Sequence, residues 1–355
     1  MIRISKRTEL PSYIQWLIRA GSILVSLLII SLFLAIIGHN PLKVFNAMLA
    51  GCFGTFFRFR KTVELMIPLS ITSLGILIAF KMKFWNIGAE GQILMGAFAA
   101  TFFALNFSYL PRPILLLIMA SAGIIVGGLW ALIPAFFKVK FETNETLFTL
   151  MLNYIAIKFI IYLQYGPWKD PKQAGFPKIP DFSLNASLPK VAGIHFGWII
   201  FIVIFVVAYF FINKSKFGYE VDVIGESKNT AKYAGMNVNK VVLSSLFLSG
   251  ALGGLVGMIQ TSGVHGTLSS SISGGIGYSA IIVTWLAHVR VHLIPVIGLL
   301  FAVLTQGAFF IQTAFQIPHS VAEIMQGTIL FCALGSEFFI NYQIHLRKNK
   351  GNKRS

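Results

Sequence analysis

Glu90 is a carboxylate at the mouth of an apolar run. It lies in the stretch KMKFWNIGAEGQILMGAFAA (residues 81–100), with Asn86 and Gln92 close by and the backbone loosened by Gly88 and Gly91. Other amide or charged side chains interrupt apolar runs elsewhere: Glu145, Asn153, Lys158, Gln164, Gln260, Gln306, Gln312, Glu323 and Gln326. Groups of this kind have two uses in a low-dielectric setting. They tie helices together by hydrogen bonds, or they face a wet cavity where a polar solute passes. Asn153 and Gln260 lie deeper within their apolar runs than the many near span ends and are the stronger candidates for the second use. Other chemistry finds no support in spacing. No serine–histidine–carboxylate arrangement can be read, and the seven histidines show no metal-ligand spacing. His288 and His292 are one helical turn apart, but Pro295 follows and they read as a helix-end pair. No G-x-x-x-x-G-K-[ST] loop occurs, so the chain has no phosphate cradle of that type.

The elements that carry these residues are set by composition. Apolar residues make up 56% of the 355 and charged residues 12%, with a mean hydropathy of +0.76. A soluble domain carries about a quarter charged residues. The chain therefore reads as an all-α, polytopic membrane protein forming one transmembrane domain over residues 1–355. The net charge of +17 does not indicate nucleic acid, because the basic residues are scattered between apolar runs. Cys52 and Cys332 both sit in apolar settings and say little about redox compartment. The first apolar stretch is too long for a signal-peptide core and reads as a retained helix.

About twenty apolar residues cross a bilayer. On that rule spans fall at 13–38, 63–80, 87–107, 114–135, 147–165, 195–213, 241–262, 276–289, 293–313 and 320–341, the eighth being short. An even number of spans puts both termini on one side. With the termini inside, the inner segments hold twice as many Lys and Arg as the outer ones, which favours that orientation. Arg58, Arg60 and Lys61 fall outside against the trend, and an interfacial helix over 42–57 would bring them to headgroups.

Two segments break the helical pattern with glycine. One contains Gly88 and Gly91; the other, GVHGTLSSSISGGIGYSA (residues 263–280), contains Gly274, Gly275 and Gly277. They fall near the starts of the third and eighth spans, in comparable places of two five-span halves. Irregular backbone at membrane depth survives only where protein or water satisfies it, and paired interruptions of this kind point to a solute site. SGALGGLVG (residues 249–257) is a small-residue face for close helix packing. Two polar segments remain. Residues 166–194 are proline-rich and lie outside. Residues 214–240 lie inside, mix both charge signs, and contain a short helix over 226–233 ended by Gly235. That segment reads either as a solvated linker or as a docking helix for a cytoplasmic partner.

Four motifs carry a resemblance. FWNIGAEGQILMGAF (84–98), NETLFTLMLNYIA (144–156), GESKNTAKYAGMNVNK (225–240) and LSGALGGLVG (248–257) occur in the order and form seen in ABC importer permeases for nucleosides and simple sugars. These are relatives of the branched-chain amino acid permeases, and the resemblance covers residues 40–340. It implies a second permease, identical or paralogous, an ATP-binding subunit on the cytoplasmic face that carries the ATP-Mg, and an extracytoplasmic substrate-binding lipoprotein. It also implies a bacterial cytoplasmic membrane and turns the 214–240 segment into the ATPase dock, with Gly225, Glu226, Ala231, Tyr233, Ala234 and Gly235 at the contact. Ser227 and Lys228 stand where asparagine and proline are usual, and Asp222 where an arginine is expected, which points to a dedicated partner.

For a nucleoside, the expected pathway residues are Trp85, Asn86, Glu90, Gln92, Asn153, Tyr154, Gln260 and Tyr278, with Trp285 as a further aromatic. Glu90 is expected to hold the loop backbone through Asn86 and Gln92 rather than to grip a neutral solute. A simple sugar and riboflavin stand as alternative solutes. An ATP-independent secondary transporter stands as the alternative class.

Overall fold

The computed structural model describes residues 2–7, 10–172, 175 and 177–346. The basic cluster after His345 lies outside the described residues. Thirteen α-helices dominate the described residues. The first half holds α1 (Ser12–Ile36), α2 (Pro41–Phe53), α3 (Phe56–Lys81), α4 (Ala89–Asn106), α5 (Arg112–Phe141) and α6 (Glu145–Tyr165). Then come α7 (Gly197–Lys214), α8 (Lys216–Glu226), α9 (Lys228–Tyr233), α10 (Val238–Ile259), α11 (Ile276–Leu286), α12 (Ile294–Phe315) and α13 (His319–Asn341). Among the described residues, eight helical stretches are long and apolar enough to cross a membrane. Adding α4 and α11, which fall short in hydropathy or length, gives the ten helical segments expected.

The boundaries differ where local chemistry intervenes. The eighth span was expected over 276–289, but α11 stops at Leu286 because His288 and Val289 adopt left-handed backbone angles, φ 50° and 56°. Its 11 residues reach only about 16 Å, half a bilayer. The expected interfacial helix over 42–57 is α2, starting earlier because Asn40 accepts from the amides of Leu42 and Lys43 and Pro41 occupies the first turn. Arg58, Arg60 and Lys61 belong instead to the first turns of α3, where Arg60 lies over the Phe56 ring and Lys61 pairs with Glu64 at 2.7 Å.

The chain divides into two compact units, 1–55 with 303–355, and 56–302. In the first, Ile30 and Leu34 of α1, Val44 and Met48 of α2, Ile311 of α12 and Val321, Met325 and Ile329 of α13 form one apolar core. A two-stranded antiparallel ribbon pairs β1 (Ile2–Lys6) with β4 (Tyr342–Leu346).

The second unit is built around α3, α4 and α10. The apolar stretches of α3 and α10 are each 72% buried, against 22% for α7. Glycine sets how close they come. A methyl on Gly254 would meet the Gly123 carbonyl of α5, and one on Gly257 would meet the Ile93 carbonyl of α4, so these backbones touch directly. A tight hairpin joins β2 (Lys190–Val191) to β3 (Ile194–His195) through Ala192 and Gly193, both at positive φ. The preceding segment is tied down at Leu188, whose amide donates to the Ser262 carbonyl at 2.9 Å, and at Phe182, whose amide donates to Gly266 at 2.7 Å.

Candidate functional site

The two glycine-interrupted segments meet. Glu90, in the first turn of α4 and 4% exposed, accepts from the amide of Gly275 at 3.0 Å through Oε1 and from that of Gly277 at 2.8 Å through Oε2. Those amides belong to the N-terminal end of α11, where helical N–H groups have no internal acceptor. The carboxylate thus lies between the positive ends of two helices, its own and α11, which stabilise its charge without a cation. Gly277 must lack a side chain here, because a Cβ would run into the Glu90 backbone. Gly275 holds φ at 78°, a conformation glycine adopts freely.

Asn86 and Gln92 were expected to work with Glu90. They bond to each other instead. Gln92 Nε2 donates to Asn86 Oδ1 at 3.1 Å, and Asn86 Nδ2 donates to Gln92 Oε1 at 3.3 Å and to Ser249 Oγ of α10 at 3.0 Å. Asn86 Oδ1 also takes the Gly88 amide at 3.0 Å. The pair closes the non-helical bend before α4, while both Glu90 oxygens are taken by the Gly275 and Gly277 amides.

Asn153, on the buried face of α6, is fully engaged. Its Oδ1 takes the Gly91 amide at 2.8 Å, and its Nδ2 donates to the Ile87 carbonyl at 2.8 Å and to the Tyr278 hydroxyl at 3.3 Å. It pins both interrupted segments to α6. Of the five pathway amides and acids, Gln260 alone is different: it is 5% exposed, and its side chain carries no hydrogen bond among the described residues. It begins a π-helical stretch, Gln260–His265, that continues α10 and ends at Gly266 with φ 68°. Such stretches are common where a helix must present side chains to a site.

The aromatic candidates are partly open. Trp85 and Trp285 stack with ring centroids 5.4 Å apart and 27° between planes, Phe80 touching both, and they remain 43% and 41% exposed. Tyr154 and Tyr278 are also exposed in part. Gln164 Nε2 donates to the Pro177 carbonyl at 2.8 Å and Glu145 pairs with Lys138 at 2.7 Å, so both are structural. The Gln326 side chain lies outside the described residues.

The docking segment contains two helices rather than the single one expected over 226–233. Glu226 ends α8. Ser227 takes extended backbone angles and caps α9, its Oγ accepting from the Thr230 amide at 3.2 Å. Sequence reasoning missed that cap, although Ser before a short polar helix is the signal for it. Ala231 is fully buried in a cluster with Met82, Phe84 and Val238, while Tyr233, Ala234 and Gly235 are exposed. Gly235 has φ 74° and open space where a Cβ would sit, beside a cleft of about 640 Å³ lined by Tyr219, Ala234 and Asn237. Two contacts anchor the pair of helices to the end of α3. Gly225 lies against the Lys81 carbonyl, and Asp222 pairs with Lys81 Nζ at 2.7 Å. The acid at 222 is therefore answered within the chain.

Comparison with known proteins matches this arrangement to a family. Over 90% of the chain and 93% of the relative, it is 27% identical to the guanosine ABC transporter permease protein NupP of Bacillus subtilis. The nucleoside ABC transporter permease protein NupB of Lactococcus lactis is 28% identical over 90% of the chain and 89% of its own length. The glucose ABC transporter permease protein TsgB13 of Haloferax volcanii is 29% identical over 97% of the chain and 93% of its length. Residues 59–334 match the family described as "Branched-chain amino acid transport system / permease component". With that match covering most of its length, the chain belongs to this family of ABC transporter membrane permeases.

Proposed function

We propose that this chain is the membrane permease of an ATP-driven importer of nucleosides. The observation that carries the reading is a continuous mechanical link from the docking helices to the broken helices. Ala231 of α9 packs on Met82 and Phe84, these lead directly into Trp85 and Asn86, and the bend they form holds Glu90 on the start of α11. An ATP-binding subunit seated on Tyr233, Ala234 and Gly235 pushes or pulls on this link. Closure of two such subunits around ATP-Mg draws the docking helices of two permeases together and turns the pathway from inward- to outward-open. A partner moves such an equilibrium only through contacts that differ between the two states. A substrate-binding lipoprotein delivers solute from outside.

Two features support a nucleoside. The half-exposed Trp85–Trp285 pair offers a stacking surface for a base, and Gln260 offers an amide not committed to the fold. Tyr154 and Tyr278 add hydroxyls. Asn86, Glu90, Gln92 and Asn153 act as positioning residues, since their polar atoms hold backbone. The likeness to a glucose permease favours a sugar as the second reading. Both termini are placed in the cytoplasm of a bacterial cell, with the permease in its cytoplasmic membrane. The pairing of Ile2–Lys6 with Tyr342–Leu346 supports a common side for the two ends, and the Lys and Arg bias supports the inner one.

The test is uptake by the complete complex in proteoliposomes, with labelled guanosine, uridine, glucose and riboflavin offered separately. ATP-dependent uptake of nucleosides above the other solutes is the expected result. Preference for glucose or riboflavin overturns the nucleoside assignment, and uptake without the ATP-binding subunit overturns the ATP-driven reading.

A further inference from the structure

Lys158 is a charged side chain inside a span that the described fold does not use. It lies on α6, seven residues from Tyr165, so about 10 Å inside the nearer end of the span. It is exposed and has no ion-pair or hydrogen-bond partner among the described residues. The buried face of α6 carries Thr149, Leu152, Asn153, Ala156, Ile160 and Leu163. Lys158 sits on the opposite side, at the centre of the exposed face, with Tyr154 one turn before it and Tyr162 one turn after, 58% and 64% exposed. Helical side chains lean towards the N-terminus of their helix. The Lys158 Cα–Cβ bond therefore leans towards Tyr154 and the membrane interior, away from the nearer interface at Tyr165. A lysine facing hydrocarbon would need the reverse direction to reach headgroups. Polar and charged groups at this depth face water or protein.

From this we infer that the Tyr154–Lys158–Tyr162 face of α6 lines the water-filled translocation pathway, and that Lys158 is a specificity-determining residue. Its ammonium donates hydrogen bonds to carbonyl or hydroxyl oxygens of a neutral solute and repels cationic ones. The same helix carries Asn153 on its inner face, bonded to both interrupted segments. Movement of those segments therefore shifts Lys158 with them, which couples the solute contact to the transport cycle. This deepens the proposed function and rests on it for the solute, though not for the wet face.

The experiment has two arms on the assembled complex, and the first needs no transport. Lys158→Cys is made in a chain with Cys332→Ala; Cys52 is buried. Reaction with a charged, water-soluble methanethiosulfonate is compared with Val207→Cys, an exposed position on α7. Lys158→Cys should react at least about tenfold faster. Equal, slow reaction at both places sets Lys158 in lipid and overturns the proposal. Reaction only after the two permeases are separated in detergent makes the face a protein interface and also overturns it. In the second arm, Lys158→Glu should lower nucleoside uptake about tenfold while Lys158→Arg retains it, with ATPase stimulation by the binding protein preserved in both. Wild-type uptake by Lys158→Glu would remove the specificity role. Failure of the wild-type complex to take up any nucleoside sinks the solute assignment, and the labelling arm still decides the pathway face.

Discussion

Replacing Glu90 tests whether a carboxylate joins the two broken segments. The wild-type side chain accepts from two amides, at 3.0 and 2.8 Å, at the head of α11. Glutamine keeps one oxygen but turns an NH₂ towards the second amide, so one buried donor loses its acceptor, at about 1–3 kcal/mol. Loss of the charge between two helix N-termini adds about 0.3–2 kcal/mol. Alanine leaves both donors unmatched, about 2–6 kcal/mol for the pair, and loses the same charge term. Stability should therefore fall in the order Glu, Gln, Ala, with the last step worth about as much as one unmatched donor. Thermal unfolding of the purified permease and nucleoside uptake at matched expression measure the two consequences. Uptake should follow stability, with Gln retaining part of it. A Gln variant as stable as wild type would show that the two bonds do not hold α11. Equal, complete loss of uptake in both variants with unchanged unfolding would place the charge itself on the solute.

Gly235→Trp should leave the permease folded and receptive to its binding protein but abolish co-purification of the ATP-binding subunit or its stimulated hydrolysis, because the positive φ resists any side chain and the indole would fill the open space proposed for the subunit; normal uptake and stimulation would make the segment a linker. Asp222→Lys should weaken coupling by placing like charge on Lys81, and the double exchange Lys81→Asp with Asp222→Lys should restore uptake, although the half-exposed pair itself contributes no more than about 1 kcal/mol. A tag at Lys172 should react with reagents outside the cell and a reporter after Ser355 should be cytoplasmic; protection of the Lys172 tag would reverse the topology. Burial pushes the His195 imidazole below its ordinary value of 6.5. The unfolded chain then takes up a proton below pH 6.5 that the folded chain refuses, so the unfolding midpoint should drop as pH falls through that range, and His195→Gln should flatten the drop.

The helices were legible because a bilayer imposes one length and one composition on every span. The two glycine interruptions were legible as local departures from that rule. Their meeting was not, because Glu90 and Gly277 are 187 residues apart and nothing in either segment names the other. The amides misled in the same way. Asn153 looked like a solute contact on account of its depth, yet depth is also where backbone bends demand a partner, and its two polar atoms are spent on Gly91, Ile87 and Tyr278. Asp222 looked like a mismatch to an absent subunit until Lys81 appeared beside it. In each case sequence marked a polar group that needed an answer, and only the fold supplied which one.

The glycine contacts among α4, α5 and α10 have a consequence for how the permease can move. Helices separated by side chains can slide, since methyl groups exchange one set of neighbours for another. Here Gly96 and Gly123 meet Gly254, Gly127 meets Gly250 and Gly254, and Gly257 meets Ile93, all backbone on backbone. Any shear would drive a carbonyl into a Cα, so these three helices must travel as one lever. Bending is left to the stretches between helices, residues 82–88 and 266–275, and a fluorophore pair within the slab should report one fixed distance throughout the ATP cycle.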